Sequence, residues 1–498
     1  MEKYDVLIIG AGLGGLQCGY ILANHGMRVC ILEQDALLGG CLQTYRRAGL
    51  PLDTGFHYIG GLDEGQVLHK LFKYFNLLDL PWVRMDNDCA DLIIINGKEY
   101  RIPQGYDNYA AALKSYFPNQ ASGIDEWVNM MRQVGEGIFH SLEPRSAESV
   151  FSQSLFARGA YEYLSSIISD PLLIDVISGP ALKMELNAEK LPLYTFAQIN
   201  SSFVQSAYRI KGGGMQIAER LRKGIESKGG VVRRNAKVTQ ILGAEGHASS
   251  VEVNGGEYIV EADHFISDIH PSATMSLMEE SGLVRKIYRK RIYGLKNTYG
   301  MFTASLVLKE NAVKYQNNNI YVYRNANLWH LPDNLNPQSR VDGALISFVP
   351  ADKGDATYTR NIDILTPMDW STVEKWFGTK VACRGDEYNE LKRIVAQNCI
   401  DLAAECIPGL KEAILEVHTS TPLTYTDYTA TAQGSAYGIQ KDFNNLMFTL
   451  LTPRTPVDNL LLTGQSLNLH GILGTSMTSL FTCAELVGAE PLSDILKK

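Results

Sequence analysis

The sequence predicts an α/β fold in which a Rossmann-type dinucleotide-binding domain is interleaved with an α+β domain. Three features of the 498-residue chain predict it. A strand, a glycine loop, a helix and a second strand open the chain. A second glycine loop lies between a strand and a helix near its end. Long aromatic-rich stretches separate the pieces that carry these loops.

The opening unit is read first. Residues 4–9 (YDVLII) are β-branched and apolar, as a buried strand requires. Gly10-Ala11-Gly12-Leu13-Gly14-Gly15 follows, then an apolar helix to about Asn24 and a strand over residues 28–32. Gly10 permits the tight turn, Gly12 lets the backbone approach a pyrophosphate, and Gly15 lets helix pack on strand. Ala11 and Gly14 complete the loop, and the helix N-terminus offers free N–H groups to phosphates. Glu33 ends the second strand, eighteen residues beyond Gly15, where a carboxylate can accept from a ribose diol. Gln34 follows it and is counted with the same contacts. Glu33 would repel a 2′-phosphate, so NADP is disfavoured here.

This unit does not separate NAD from FAD. The next stretch helps: Leu38-Gly39-Gly40-Cys41-Leu42-Gln43-Thr44, then Leu52-Asp53-Thr54-Gly55-Phe56-His57-Tyr58. Adjacent glycines with interleaved Asp, Thr and His suggest a second wrap around something polar and extended, which NAD enzymes seldom need.

The stretch LEQDALLGGCLQTYRRAGLPLDTGFHYIGG resembles the retinol saturases, of the phytoene desaturase and carotenoid isomerase group of FAD-dependent oxidoreductases. The wider group usually has Gly-Gly-Arg where this chain has Cys41, as retinol saturases do. The resemblance implies an amine-oxidase/glutathione-reductase-like FAD domain. It implies that Gly10, Gly12, Gly15 and Glu33 hold the adenosine and pyrophosphate side. Gly39, Gly40 and Thr44 would line the ribityl side, and Asp53, Thr54, Gly55 and His57 would come near the flavin or a substrate channel. Cys41 is either simple steric accommodation or a redox group, and His57 either a structural hydrogen bond or a proton donor.

Residues 208–242 read as strand, glycine turn, amphipathic helix, turn and strand. Gly212-Gly213-Gly214 lacks GxGxxG spacing and has no acid at the right distance, so it is no second nucleotide loop. In the family this segment returns the chain to the FAD domain, with backbone near Val238 passing the adenine. No second dinucleotide motif is visible, so NAD(P)H enters only as a transient reductant, if at all. The FAD-binding domain is expected over 1–80, 207–284 and 415–498. The substrate domain is expected over 81–206 and 285–414, with a helix near 124–138 and strands at 303–308 and 344–349.

Near the end, residues 459–462 read as a strand, then Thr463-Gly464-Gln465, then Leu469-His470-Gly471-Ile472-Leu473-Gly474, and a helix of about 12 residues from Thr475. A helix N-terminus aimed at a flavin pyrimidine would stabilise the charge of reduced flavin. The pattern resembles the C-terminal FAD signature of the same group, as does STPLTYTDYTATAQGSAYG over residues 420–438. The resemblance places Gly464 and Gln465 near the phosphate or ribityl chain. Gly471, Ile472 and Gly474 would turn amides to the flavin ring. The family's loop often carries proline where His470 stands.

A net charge of −8 argues against broad nucleic-acid binding. The eight cysteines form no CxxC pair, no metal site is expected, and reduced thiols suit a cytoplasmic setting. The apolar run at 6–9 is too short for a signal peptide, and no stretch of about 20 apolar residues could span a membrane as a helix. Residues 283–299 (LVRKIYRKRIYGLKNTY) are a basic, tyrosine-bearing patch on an acidic chain. They are either a solvated helix face or a peripheral contact with the inner face of a membrane; Gly294 would interrupt a long helix there.

The function expected from the resemblance is saturation of a lipophilic polyene, retinoid- or carotenoid-like, with hydride passing through flavin N5. Desaturation or cis–trans isomerisation is the alternative. A non-catalytic lipid escort and an amine oxidase are rivals of other classes. Candidate proton donors are His57, His470, Tyr58 and Tyr437. The oligomeric state is not expected from any feature.

Overall fold

The computed structural model describes residues 2–138, 153–351 and 356–497. Strand β1 (Lys3–Ile9) runs into helix α1 (Leu13–Asn24) and strand β2 (Val29–Leu32). β1 is parallel to β2 on one side and to strand Tyr258–Ser267 on the other. Val231–Arg233 extends the parallel set beyond β2, and Leu460–Leu462 pairs with the far half of Tyr258–Ser267. Val238–Ala244 and His247–Val253 complete this seven-stranded sheet as an antiparallel edge. Residues 6–9 of β1, all of β2 and Leu460–Leu462 are apolar and are buried in clusters on both faces of the sheet.

A second seven-stranded sheet has the order Ile414–Ser420, Gly300–Leu308, Asn361–Met368, Gly343–Phe348, Asn319–Tyr323, Asp91–Ile95, Lys98–Ile102. Helix Asp386–Cys406 packs on one face of it. Helices Ala121–Gly137 and Leu193–Gln205 lie in the core on the other. A small sheet of Ile59–Gly60, Ala207–Ile210 and Trp82–Arg84 stands beside the crossings between the two.

Three expected boundaries move. The return to the first domain expected at 415 falls inside Ile414–Ser420, which pairs with Gly300–Leu308 and keeps the chain in the second sheet to Ser420. The departure expected at 285 comes late as well. Helix Lys286–Tyr293 buries Ile292 in the apolar cluster of the first sheet, with Leu7 and Ile9. The helix expected from Thr475 begins at Gly471 and runs to Val487. Part of the glycine loop is therefore the first helical turn.

Candidate functional site

One cavity of about 580 Å³ runs from the carboxyl ends of the parallel strands to the second sheet. That edge is where open α/β sheets hold ligands. The cavity joins the two glycine loops: Gly10, Gly12, Gly14, Gly39, Gly40 and Cys41 line it from one end of the chain, and Gly464, Gln465, Gly471, Ile472 and Gly474 from the other. Glu33, Gln34 and Val238 line its far end, and Gly55, His57, Tyr58, Tyr437 and His470 the end toward the second sheet.

Two helix N-termini open into this space. Neither α1, capped by Gly12, nor Gly471–Val487, preceded by His470, has a side-chain hydrogen bond from its cap residue. Their first N–H groups and positive dipole ends are turned to one cavity, an arrangement that favours anions. The glycines are needed for space. A Cβ on Gly12 would lie 2.6 Å from an Asp268 carboxylate oxygen, and one on Gly474 would lie 2.5 Å from the Leu469 carbonyl.

The expected contacts divide once placed. Glu33 is buried at the tip of β2, where it accepts from the amides of Ala11 and Asp35, each at 2.9 Å. Burial pushes its pKa up against those bonds. Ala11 therefore spends its N–H on Glu33 and does not line the cavity. Gly15 is also behind the wall, where a Cβ would meet the Gly10 carbonyl at 2.2 Å. Thr44 stands apart as well. It donates to Asp53 at 2.6 Å and accepts from the Met215 amide at 3.1 Å, so it ties the second glycine stretch to the segment after strand Ala207–Ile210. The accessible surface of Cys41 belongs to the cavity, and desolvation raises its thiol pKa.

The four candidate proton donors also divide. Tyr58 Oη shares a hydrogen bond with Tyr321 Oη at 2.5 Å. Tyr437 Oη donates to the Leu182 carbonyl at 2.7 Å. The Lys183 carbonyl takes a hydrogen bond from His470 Nε2 at 2.8 Å, and the His470 ring lies 4.7 Å from that of Tyr437. His57 differs. Its Nδ1 is 3.7 Å from Asp363 Oδ2, and its buried Nε2 has no protein partner. Burial, with Arg209 adding, lowers the His57 pKa to about 4, so the ring is neutral at pH 7. Burial raises that of Asp363 to about 7 despite a 2.6 Å hydrogen bond from Ser305.

Three lining or supporting groups were missed by the sequence reading. Asp268 sits between Gly12, Gly14 and Gly464, and burial raises its pKa to about 7 while the Gly15 amide opposes the shift. A signal existed: Asp268 directly follows a parallel strand, at the edge where ligands bind. Asp363 lies mid-strand and Lys183 in an apolar stretch, and neither carries a local motif. Among the described residues no group of three or more His, Cys, Asp or Glu is arranged to hold a metal.

This geometry has known counterparts. The family described as flavin-containing amine oxidoreductase matches residues 13–363. The all-trans-retinol 13,14-reductase of Rattus norvegicus is 27% identical over 99% of this chain and 87% of its own length. A chloroplastic prolycopene isomerase of an Oncidium hybrid cultivar is 24% identical over 88% of this chain and 75% of its own. Among solved structures, an oxidoreductase from Methanosarcina mazei superposes with a TM-score of 0.63 at 16% identity, covering 96% of this chain and 99% of that one.

Proposed function

The chain belongs to the flavin-containing amine oxidoreductase family and is an FAD-dependent oxidoreductase, and we propose that it saturates a carbon–carbon double bond of a lipophilic polyene. The observation that carries this reading is the single cavity, in which the glycine-loop half continues into a half walled by Met301, Leu345 and Leu365 of the second sheet. Similarity to the rat retinol reductase over 99% of the chain supports the same substrate class. Similarity to a prolycopene isomerase favours cis–trans isomerisation as the second reading.

The cofactor's place follows from the fit. Gly12, Gly14, Gly464 and the N-terminus of α1 suit the pyrophosphate. Glu33, Gln34 and Val238 suit the adenosine end, and Gly471, Ile472 and Gly474 suit the flavin ring. Bound there, FAD supplies hydride chemistry. The protein supplies the rest. The apolar walls exclude water and align the polyene. His57 Nε2 delivers the proton that a saturated carbon needs, and Nδ1 recovers one from the Asp363 carboxyl. Tyr58 and Tyr437, whose hydroxyls are engaged with protein groups, and His470, whose Nε2–H is held by the Lys183 carbonyl, shape the wall. NAD(P)H or a redox partner acts transiently as reductant.

We assign residues 1–80, 207–295 and 421–498 to the FAD-binding part and the remainder to the substrate part. The basic segment 283–299 is read as a peripheral contact with an anionic membrane. Helix Lys286–Tyr293 exposes Ile287 at 75%, and Arg291 donates to the carbonyl of Met447, itself 85% exposed. Among the described residues no helix is long and apolar enough to cross a membrane.

The test is anaerobic photoreduction of the FAD-loaded protein followed by addition of all-trans-retinol or a carotenoid. Loss of conjugated absorbance together with flavin reoxidation is the expected result. A shifted isomer peak over unchanged flavin would assign isomerisation instead. Hydrogen peroxide release with amines and none of these changes would overturn the proposal in favour of amine oxidation. Purified protein without flavin would favour a lipid escort.

A further inference from the structure

Lys183 has no part in the mechanism above, yet it lines the apolar half of the cavity. Its ammonium lies 4.0 Å from the centroid of the Phe203 ring and 5.9 Å from that of Tyr58. Its backbone is held in place: its own carbonyl takes the His470 hydrogen bond, and the preceding carbonyl takes that of Tyr437. A cation held this deep costs desolvation unless an anion joins it. The protein does not supply one at the cavity wall. The three carboxylates that line the cavity, Glu33, Asp35 and Asp268, all belong to the glycine-loop half. Asp91 favours the charged lysine from outside this cavity, and its Oδ1 accepts from Asn319 Nδ2 at 2.9 Å. Gln198, 2% exposed and lining the same cavity, carries a side-chain oxygen with no partner. Rotation of that amide would offer its NH₂ to the same ligand.

We propose that Lys183 binds an anionic end of the substrate, so that the substrate is an unsaturated carboxylic acid rather than a neutral hydrocarbon or an amine. The inference rests on the polyene reading and narrows it. It also gives a physical reason why the amine chemistry in the family's description does not suit this chain: a protonated amine would enter a half-cavity whose charged wall is a lysine. Binding is noncovalent, so no bond is made or broken at Lys183.

The pH behaviour follows from the groups around it. Burial lowers the Lys183 pKa to about 8 against the pull of Asp91. Burial holds the Tyr58 phenol well above its usual range, lowers His470 to about 4 and raises the pKa of Asp91. Lys183 loses charge as pH rises from 7 to 9. Selectivity for a carboxylate should fall over that interval.

The experiment titrates FAD-loaded protein with all-trans-retinoic acid and all-trans-retinol, which share a polyene and differ at the head. At pH 7 the acid should bind at least 10-fold tighter. The ratio should fall toward one in Lys183→Met and Lys183→Gln and at pH 9.5, and Lys183→Arg should keep most of it. Equal affinities in the unaltered protein, or an unchanged ratio in Lys183→Met, would overturn the inference while retinol binding left the polyene reading standing. If the neutral variants lose flavin, the pH series and Lys183→Arg decide the same ratio. Failure of both probes to bind, with no reoxidation of photoreduced flavin, would remove the polyene reading and this inference together.

Discussion

At the scale of single residues, four proton-donor candidates were legible as His and Tyr beside glycine loops, and their roles were not. Hydrogen-bond geometry separates them, because a donor engaged with a carbonyl or a second phenol is held in the wall. Only His57 keeps a buried ring nitrogen without a protein partner, with Asp363 on its other side. His57→Gln should slow polyene-driven reoxidation of photoreduced flavin by about 100-fold, the low end for lost general acid catalysis. The flavin spectrum should stay intact. His470→Gln should instead disturb the Lys183 backbone and alter binding more than the rate of the proton step. The sign of the pH effect follows from Asp363. Its pKa, raised from 3.8 to about 7, keeps it protonated below pH 7. The rate should then fall as pH rises through about 7, and Asp363→Asn should remove that inflection. A flat profile between pH 6 and 8.5 would exclude the Asp363 relay.

At the scale of elements, both glycine loops were readable because spacing encodes geometry: Gly12, Gly14, Gly15, Gly464 and Gly474 mark places where a Cβ would strike backbone or a carboxyl. The start of the second helix was misplaced at Thr475. Glycines at 471 and 474 weaken helix propensity, and the close approach of Leu469 that requires Gly474 is a tertiary contact. Gly12→Ala drives a methyl into Asp268, and Gly474→Ala drives one into the Leu469 carbonyl. Each should weaken FAD binding by 10-fold or more, about 1.4 kcal/mol, measured by flavin retained on dialysis and by titration of the stripped protein. Gly474→Ala should also destabilise the fold by about 1–3 kcal/mol in denaturant melts, because backbone cannot move aside as a side chain can. Full flavin retention in both variants would show that these helix ends do not hold the cofactor.

At the scale of the whole molecule, the basic segment 283–299 becomes a surface only when residues far along the chain join it. Arg291 lies 5.7 Å from the ring of Phe448, which is 57% exposed beside Met447. The sequence shows the charges and not this apolar companion, some 155 residues away. Met447→Ser with Phe448→Ser should reduce cosedimentation with anionic liposomes at low salt. Neutralising Lys286 and Lys290 should weaken it further and flatten its salt dependence, at about 1 kcal/mol per basic residue. Equal partition of all variants onto neutral and anionic vesicles would remove the membrane contact. The sequence by itself determined the dinucleotide unit, the two glycine loops and the family resemblance, because these depend on local spacing and on residue types that backbone geometry demands. Only the tertiary structure decided which loops share a cavity, that His57 faces Asp363 from 306 positions away, and that Lys183 stands in the apolar half. Burial and pairing across distant segments set those charges, and no local pattern records them.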